Sequence, residues 1–315
     1  MDTHNKTHSL VESSILTSIA VVLMLMNVYV PIFSLIGVFL WPIPITLLYV
    51  KHGVKYSILS LFVTFIIIAI VLDPISALGL VTMYGLLGVV LGYCISSKRS
   101  AAVSISIMAI VAFLSTMALY KLFSSIIGMD IISQGIKGLT QSYNASQSMY
   151  TKIGVTKGAF KEYISYFTVM VPSVFILYSL LVAFVSYLLT QKILKRFKYS
   201  ISEISPFSEW YIPSKVSFGI MLIFVISFIL VRIGMQNGES YFTNANILFN
   251  YTFTINALAF VAALLKRNNI KKPLSWVIII FCILPPISTY LFFLGVIDYI
   301  LDYRKLDPSR KRLIK

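Results

Sequence analysis

Eight apolar runs, each about as long as a bilayer-spanning helix, follow one another along the chain with almost nothing between some of them. They lie at 10–30, 32–50, 54–72, 75–95, 101–122, 166–189, 215–233 and 243–265. A helix crossing the hydrocarbon needs about 20 mainly apolar residues, so this succession reads as an all-α polytopic membrane helix bundle. Composition agrees, since 58% of the 315 residues are hydrophobic and only 12% charged, against about a quarter charged in soluble domains. Pro31 separates the first two runs, and Asp73 with Pro74 separates the third and fourth. Proline cannot continue the helix before it, so both places predict tight turns between antiparallel helices.

A ninth apolar segment, 274–297, is interrupted at Pro285 and Pro286 and brings the expected total to eight or nine membrane segments. Charge decides how it is read. The net charge of +15 comes from bases clustered between the apolar runs, which marks membrane flanks rather than a nucleic-acid surface. With a cytoplasmic N-terminus, fourteen Lys and Arg fall in inner segments, among them Lys51, Lys98, Lys195 and Lys266, and six fall outside. The six bases of the tail, from Arg304 to Lys315, return to the cytoplasm if 274–297 is a re-entrant hairpin and land outside if it crosses once. The hairpin is the preferred topology, and a single proline-kinked helix is the alternative. The chain is thus expected to be a multi-pass protein with both termini cytoplasmic. It divides into a six-helix core at 1–189 with an outer loop at 123–165, a basic linker at 190–214, C-terminal membrane helices at 215–302 and a basic tail at 303–315.

Within the spans, polar and small residues are the candidates for function. Gly85, Gly88 and Gly92 share a narrow helical stripe that lets another helix approach closely. Ser14 and Ser18 make a small-xxx-small pair that serves internal packing or a docking face for a partner. Asn27, Tyr29 and Trp41 have the chemistry of a pocket with aromatic walls and sparse polar contacts. Asn246 and Asn250, one turn apart, need partners in hydrocarbon, supplied either by another helix or by a polar ligand. Asp298, Asp302 and Lys305 fall on one arc of a helix and read as a C-terminal interfacial anchor. The histidines, His4, His8 and His52, lie in expected loops, and the chain has no HExxH, GxSxG or Walker lysine motif, so no enzymatic function, metal or cofactor is expected. Cys94 and Cys282 fall inside apolar runs and are expected to be buried thiols.

Three stretches carry a family resemblance: "WPIPITLLYVKHG" at 41–53, "GLLGVVLGY" at 85–93 and "LPPISTYLFFLGVIDYILDYRK" at 284–305. By these the chain resembles the YybS-like family of uncharacterised bacterial polytopic membrane proteins. That family is similar in its first six helices to the S components of energy-coupling-factor transporters. The resemblance implies a bacterial cell membrane, a six-helix substrate-binding core, outer loops that cap a ligand, and partnership with a coupling subunit and ATPases docked through Ser14 and Ser18. This chain departs from the pattern in having serines in place of alanines on that face, a first outer loop reduced to Pro31, and additional helices after the core. The expected function is a substrate-binding or transport-associated subunit that captures a small molecule from outside. The alternative is a membrane scaffold or regulatory partner held by lipid contacts.

Overall fold

Proline and glycine punctuate the apolar runs at the places where helices start and stop. The structure, a computed structural model, describes residues 3–307 apart from Ile127, Met129, Ile153, Val155, Pro285 and Pro286. Helix α1 (Thr3–Tyr29) is followed by α2 (Pro31–Leu40), α3 (Pro42–His52), α4 (Val54–Val71) and α5 (Pro74–Leu80). Pro31, Pro42 and Pro74 each stand at the start of a helix, where the missing N–H has no intrahelical partner to lose. Gly53 takes φ +85° and closes α3 before α4 turns away. A π-helical turn (Val81–Gly85) links α5 to α6 (Leu86–Ser96), after which come α7 (Ala101–Ile126), α8 (Ile131–Ala145), α9 (Gln147–Lys152) and the 40-residue α10 (Lys157–Arg196). A 3₁₀ turn (Phe207–Glu209) precedes α11 (Ser214–Arg232), α12 (Gly238–Arg267), α13 (Lys272–Ile283) and α14 (Ile287–Leu301).

Among the described residues, eight stretches are long and apolar enough to cross a membrane, with α2 and α3 forming one span and α5 through α6 another. Two segments differ from expectation. Helix α10, about 60 Å long at 1.5 Å per residue, takes up both the end of the expected outer loop and the start of the expected linker. The rest of that linker is packed rather than free: the Tyr187 hydroxyl and the Gln191 amide donate to Ser202 O, each at 2.8 Å, while Ser202 Oγ accepts from Ala101 N. His52 also leaves its expected loop, because it ends α3 and its Nε2 meets Glu12 Oε2 at 2.9 Å beside the Lys51–Glu12 ion pair.

The chain forms two compact units. The first comprises Met1–Thr156 with Phe175–Ile204, and the second Lys157–Val174 with Ser205–Lys315. In the first unit α6 lies directly against α3. A Cβ at Gly88 would stand 2.7 Å from Pro42 O and 2.7 Å from Ile45 Cβ, and one at Gly85 would stand 3.1 Å from the Trp41 ring. The bare stripe therefore brings two backbones together, and Thr46 Oγ1 uses the proximity to donate to Gly88 O at 3.0 Å. Met24, Trp41, Ile45, Leu48, Leu87 and Leu91 fill the space around this contact and are almost completely buried.

In the second unit α12 is the central helix. Phe224, Phe242, Phe249, Phe253 and Phe292 form a chain of ring contacts with centroids 4.6–6.0 Å apart, distances at which aromatic pairs attract beyond simple area burial. Asn244 repairs the break that Pro172 makes in α10. Its Oδ1 accepts from Ser173 N at 2.9 Å and its Nδ2 donates to Val169 O at 2.8 Å, so the backbone groups around the proline stay paired inside hydrocarbon.

The end of this unit settles the question raised by the ninth segment. Successive contacts pair Phe249 with Phe292, Phe253 with Tyr299 and Phe260 with Tyr303, so α14 runs parallel to α12. Arg267, the last residue of α12, donates to the Tyr303 hydroxyl at 3.1 Å, while α13 starts only five residues after α12 ends. The chain therefore enters along α13 and leaves along α14 at the same end of α12. Helices of 12 and 15 residues reach about 18 and 22 Å, short of the roughly 30 Å hydrocarbon. Pro285 and Pro286, the expected hinge, lie outside the described residues.

Candidate functional site

Six helices and one π-helical turn of the first unit line a cavity of about 700 Å³, within the size range of small-molecule sites. Val28 and Tyr29 come from the end of α1, Val71 and Leu72 from the end of α4, and Ser76, Gly79 and Leu80 from α5. Thr116, Leu119, Tyr120 and Phe123 line it from α7, Ile132 from α8 and Phe175 from α10. The π-helical turn widens the fourth span so that Met83 and Tyr84 both face the space, and such turns recur at functional sites. The wall is mostly apolar and aromatic. Its polar groups are the hydroxyls of Tyr29, Ser76, Tyr84, Thr116 and Tyr120, together with the carboxylate of Asp73.

Asp73 owes its position to the Asp-Pro junction, since it caps α5 by accepting from Ile75 N at 2.9 Å and Ser76 N at 2.8 Å through Oδ1. The Ser76 side chain and these backbone N–H groups hold its carboxyl below the usual range, so the group is ionised at neutral pH. Asp130 caps α8 in the same manner, and the Tyr120 hydroxyl donates to its Oδ1 at 3.4 Å. One wall of the cavity is thus tied to the start of the amphipathic segment that follows α7. Hydrogen bonds from the Ser133 side chain and backbone, and from Ile132 N, likewise lower the Asp130 carboxyl.

A second polar cluster sits in the second unit and is of the opposite kind. Arg304 Nη2 lies 2.8 Å from Asp298 Oδ2 and 2.9 Å from Asn256 Oδ1, and Nη1 donates to Trp210 O at 2.7 Å and Ser208 O at 3.2 Å. Asn256 Nδ2 donates to Asp298 Oδ2 and to Gly295 O, both at 3.0 Å. The side chains of Asp298 and Arg304 are 5% and 7% exposed, so the pair is buried and every charge has a partner. The adjoining void is only about 20 Å³, room for roughly one water.

The sequence candidates are distributed between these places unevenly. Tyr29 lines the cavity. Trp41 does not: it is 1% exposed, donates from Nε1 to Ala20 O at 2.7 Å and packs edge-on to Tyr84, so it belongs to the core. Asn27 packs beside Gly37 and is not part of the lining. Asn246 and Asn250 lie in the second unit and bond to each other within α12, through Asn250 Nδ2 to Asn246 O and Oδ1, both at 2.8 Å. Ser14 and Ser18 are exposed on α1, with their hydroxyls turned onto Leu10 O and Ser14 O. Asp298, Asp302 and Lys305 do not share a helical face, because α14 ends at Leu301 and both Asp302 and Lys305 take positive φ. That turn brings Arg304, rather than Lys305, onto Asp298. Missed in the sequence were Ser76, Tyr84, Thr116, Tyr120 and Phe175 in the cavity, and Asn244 and Arg304 in the second unit. The Asp-Pro cap was the available pointer to the cavity.

A family model described as predicted membrane protein (DUF2232) matches residues 18–299. The chain belongs to that family. The DUF2232 match contains every residue lining the cavity and also Asn256 and Asp298, but it stops before Arg304 and starts after Ser14. The chain is also similar to the uncharacterized protein YybS of Bacillus subtilis (strain 168), 25% identical over 305 residues that cover 93% of this chain and 96% of that protein. The YybS-like resemblance thus holds along nearly the whole length, and the chain is a multi-pass membrane protein. No solved structure matches it.

Proposed function

We propose that this chain is a substrate-capture subunit, which takes a small and mainly apolar molecule into the cavity between α1, α4, α5, α7 and α10. The observation that carries this is a cavity of about 700 Å³, lined by rings and hydroxyls and linked through the Tyr120–Asp130 bond to the start of α8. Apolar space with a few placed hydroxyls is what a small organic guest requires. A π-helical turn shaping one wall is an unusual feature for a span that only had to pack. In this view the chain performs no covalent chemistry. With no Walker lysine motif in the sequence, movement of the guest depends on a partner that hydrolyses nucleotide, such as the coupling subunit and ATPases of an energy-coupling-factor transporter. The exposed Ser14 and Ser18, whose hydroxyls are satisfied by their own helix, give α1 a small-residue face that a partner helix could approach.

The test is native mass spectrometry of the full chain purified in nanodiscs. The wild type should carry a small molecule that is absent from Gly79→Leu, which fills the cavity with a side chain. A wild type that carries no guest, and whose uptake phenotype in cells matches that of Gly79→Leu, would overturn the proposal.

A further inference from the structure

We infer that the guest is a monovalent organic cation, an ammonium joined to an apolar or aromatic body. This rests on the capture function proposed above and adds the sign of the guest's charge. Among the described residues, Asp73 is the one acidic side chain in the lining, and no Lys, Arg or His lines it. Its carboxylate carries a full negative charge, whereas the helix end it caps supplies at most about half a positive one, so a net negative field remains toward the cavity. Asp130 adds to that field from behind Tyr120. Because the Tyr120 hydroxyl donates to Asp130, it offers the cavity only lone pairs and an electron-rich ring. The rings of Tyr29, Tyr84, Tyr120, Phe123 and Phe175 surround the same space, with Tyr120 and Phe175 centroids 6.4 Å apart and tilted by 60°. Aromatic faces attract a desolvated cation, a use of rings that is well established for quaternary ammonium guests. An anionic guest would meet the Asp73 carboxylate with no base in the described lining to offset it, and a neutral one would forgo the attraction of that charge.

Three probes of matched shape separate these cases on the full chain in nanodiscs of phosphatidylglycerol: phenyltrimethylammonium, its uncharged isostere tert-butylbenzene, and benzenesulfonate. Isothermal titration should show the cation binding at least about tenfold more tightly than the isostere. The preference should vanish in Asp73→Asn and in Asp73→Ser, both of which keep a favoured helix cap. Equal binding of cation and isostere, tighter binding of benzenesulfonate, or a cation preference that survives both substitutions overturns the inference and leaves the capture function standing. Binding of none of the three overturns both. The ammonium could belong to a free molecule or to a lipid headgroup. Displacement of the probe when phosphatidylethanolamine is added to the nanodisc assigns it to lipid, and no displacement assigns it to a free molecule; either result supports the cation.

Discussion

Asp73 and Asp298 are both aspartates held among membrane helices, and the molecule uses them in opposite ways. Asp298 is sealed: Arg304, Asn256 and three backbone carbonyls close a network with almost no space left inside it. Asp73 has hydrogen bonds only from the helix it caps and stands on the wall of a cavity of about 700 Å³. Saturation on one side and open space on the other distinguish a charge that holds structure from a charge that can meet a guest. The second unit accordingly depends on its ion pair for shape, while the first keeps its shape through the α3–α6 contact and leaves its carboxylate available.

The sharpest way to break this comparison is to remove Arg304. Arg304→Ala leaves Asp298 buried without compensation and should destabilise the second unit by about 3–5 kcal/mol. It should lower the thermal midpoint in detergent, and replacing Asp298 and Arg304 together with leucine should cost less than the single change. Next, Gly88→Leu forces a side chain onto Pro42 O and Ile45, an overpacking that costs about 1–3 kcal/mol or more. Circular-dichroism melting should register it, while Gly138→Ala, where a Cβ meets nothing within 4 Å, should not. Asn244→Ala strips two partners from the backbone around Pro172 and should cost about 1–3 kcal/mol, with faster hydrogen exchange at Ser173 as its signature.

Smaller still is the effect of Asp73→Asn, whose thermal midpoint should match that of the wild type because Asn caps a helix as well as Asp does. A large loss of stability there would erase the contrast with Asp298. The smallest effect is expected from pH. Asp130 has a lowered carboxyl in the folded chain, so its charged form stabilises the α8 start fully above the ordinary carboxylate range. That contribution is lost as pH falls through the lowered folded value. Proteolysis within the 123–165 segment should therefore speed up in acid, and Asp130→Asn should flatten the dependence.

Much of this architecture was legible because hydrophobic length is a local quantity. The eight spans and the tight turn at Asp73–Pro74 need only neighbours in sequence, and a fold-back of the ninth segment was expected from the six bases of the tail. The cavity was not legible, since it is made where α1, α4, α5, α7 and α10 meet, and a tyrosine bound for a wall looks like one bound for a core. Trp41 illustrates the ambiguity: its ring suited the aromatic wall of a pocket, yet it packs against Tyr84 and Gly85. Arg304 was hidden for a different reason. A pair at i and i+6 lies on no shared helical face, and it forms only because the chain leaves the helix at Asp302 with φ +44°.

The Asp298 network also dictates an order of assembly during synthesis. Ser208, Trp210, Asn256 and Asp298 all emerge from the ribosome before Arg304, so the second unit cannot close until α14 has turned back and delivered that guanidinium. A chain that ended at Tyr303 would lack this fastener, leaving Asp298 without its counter-charge.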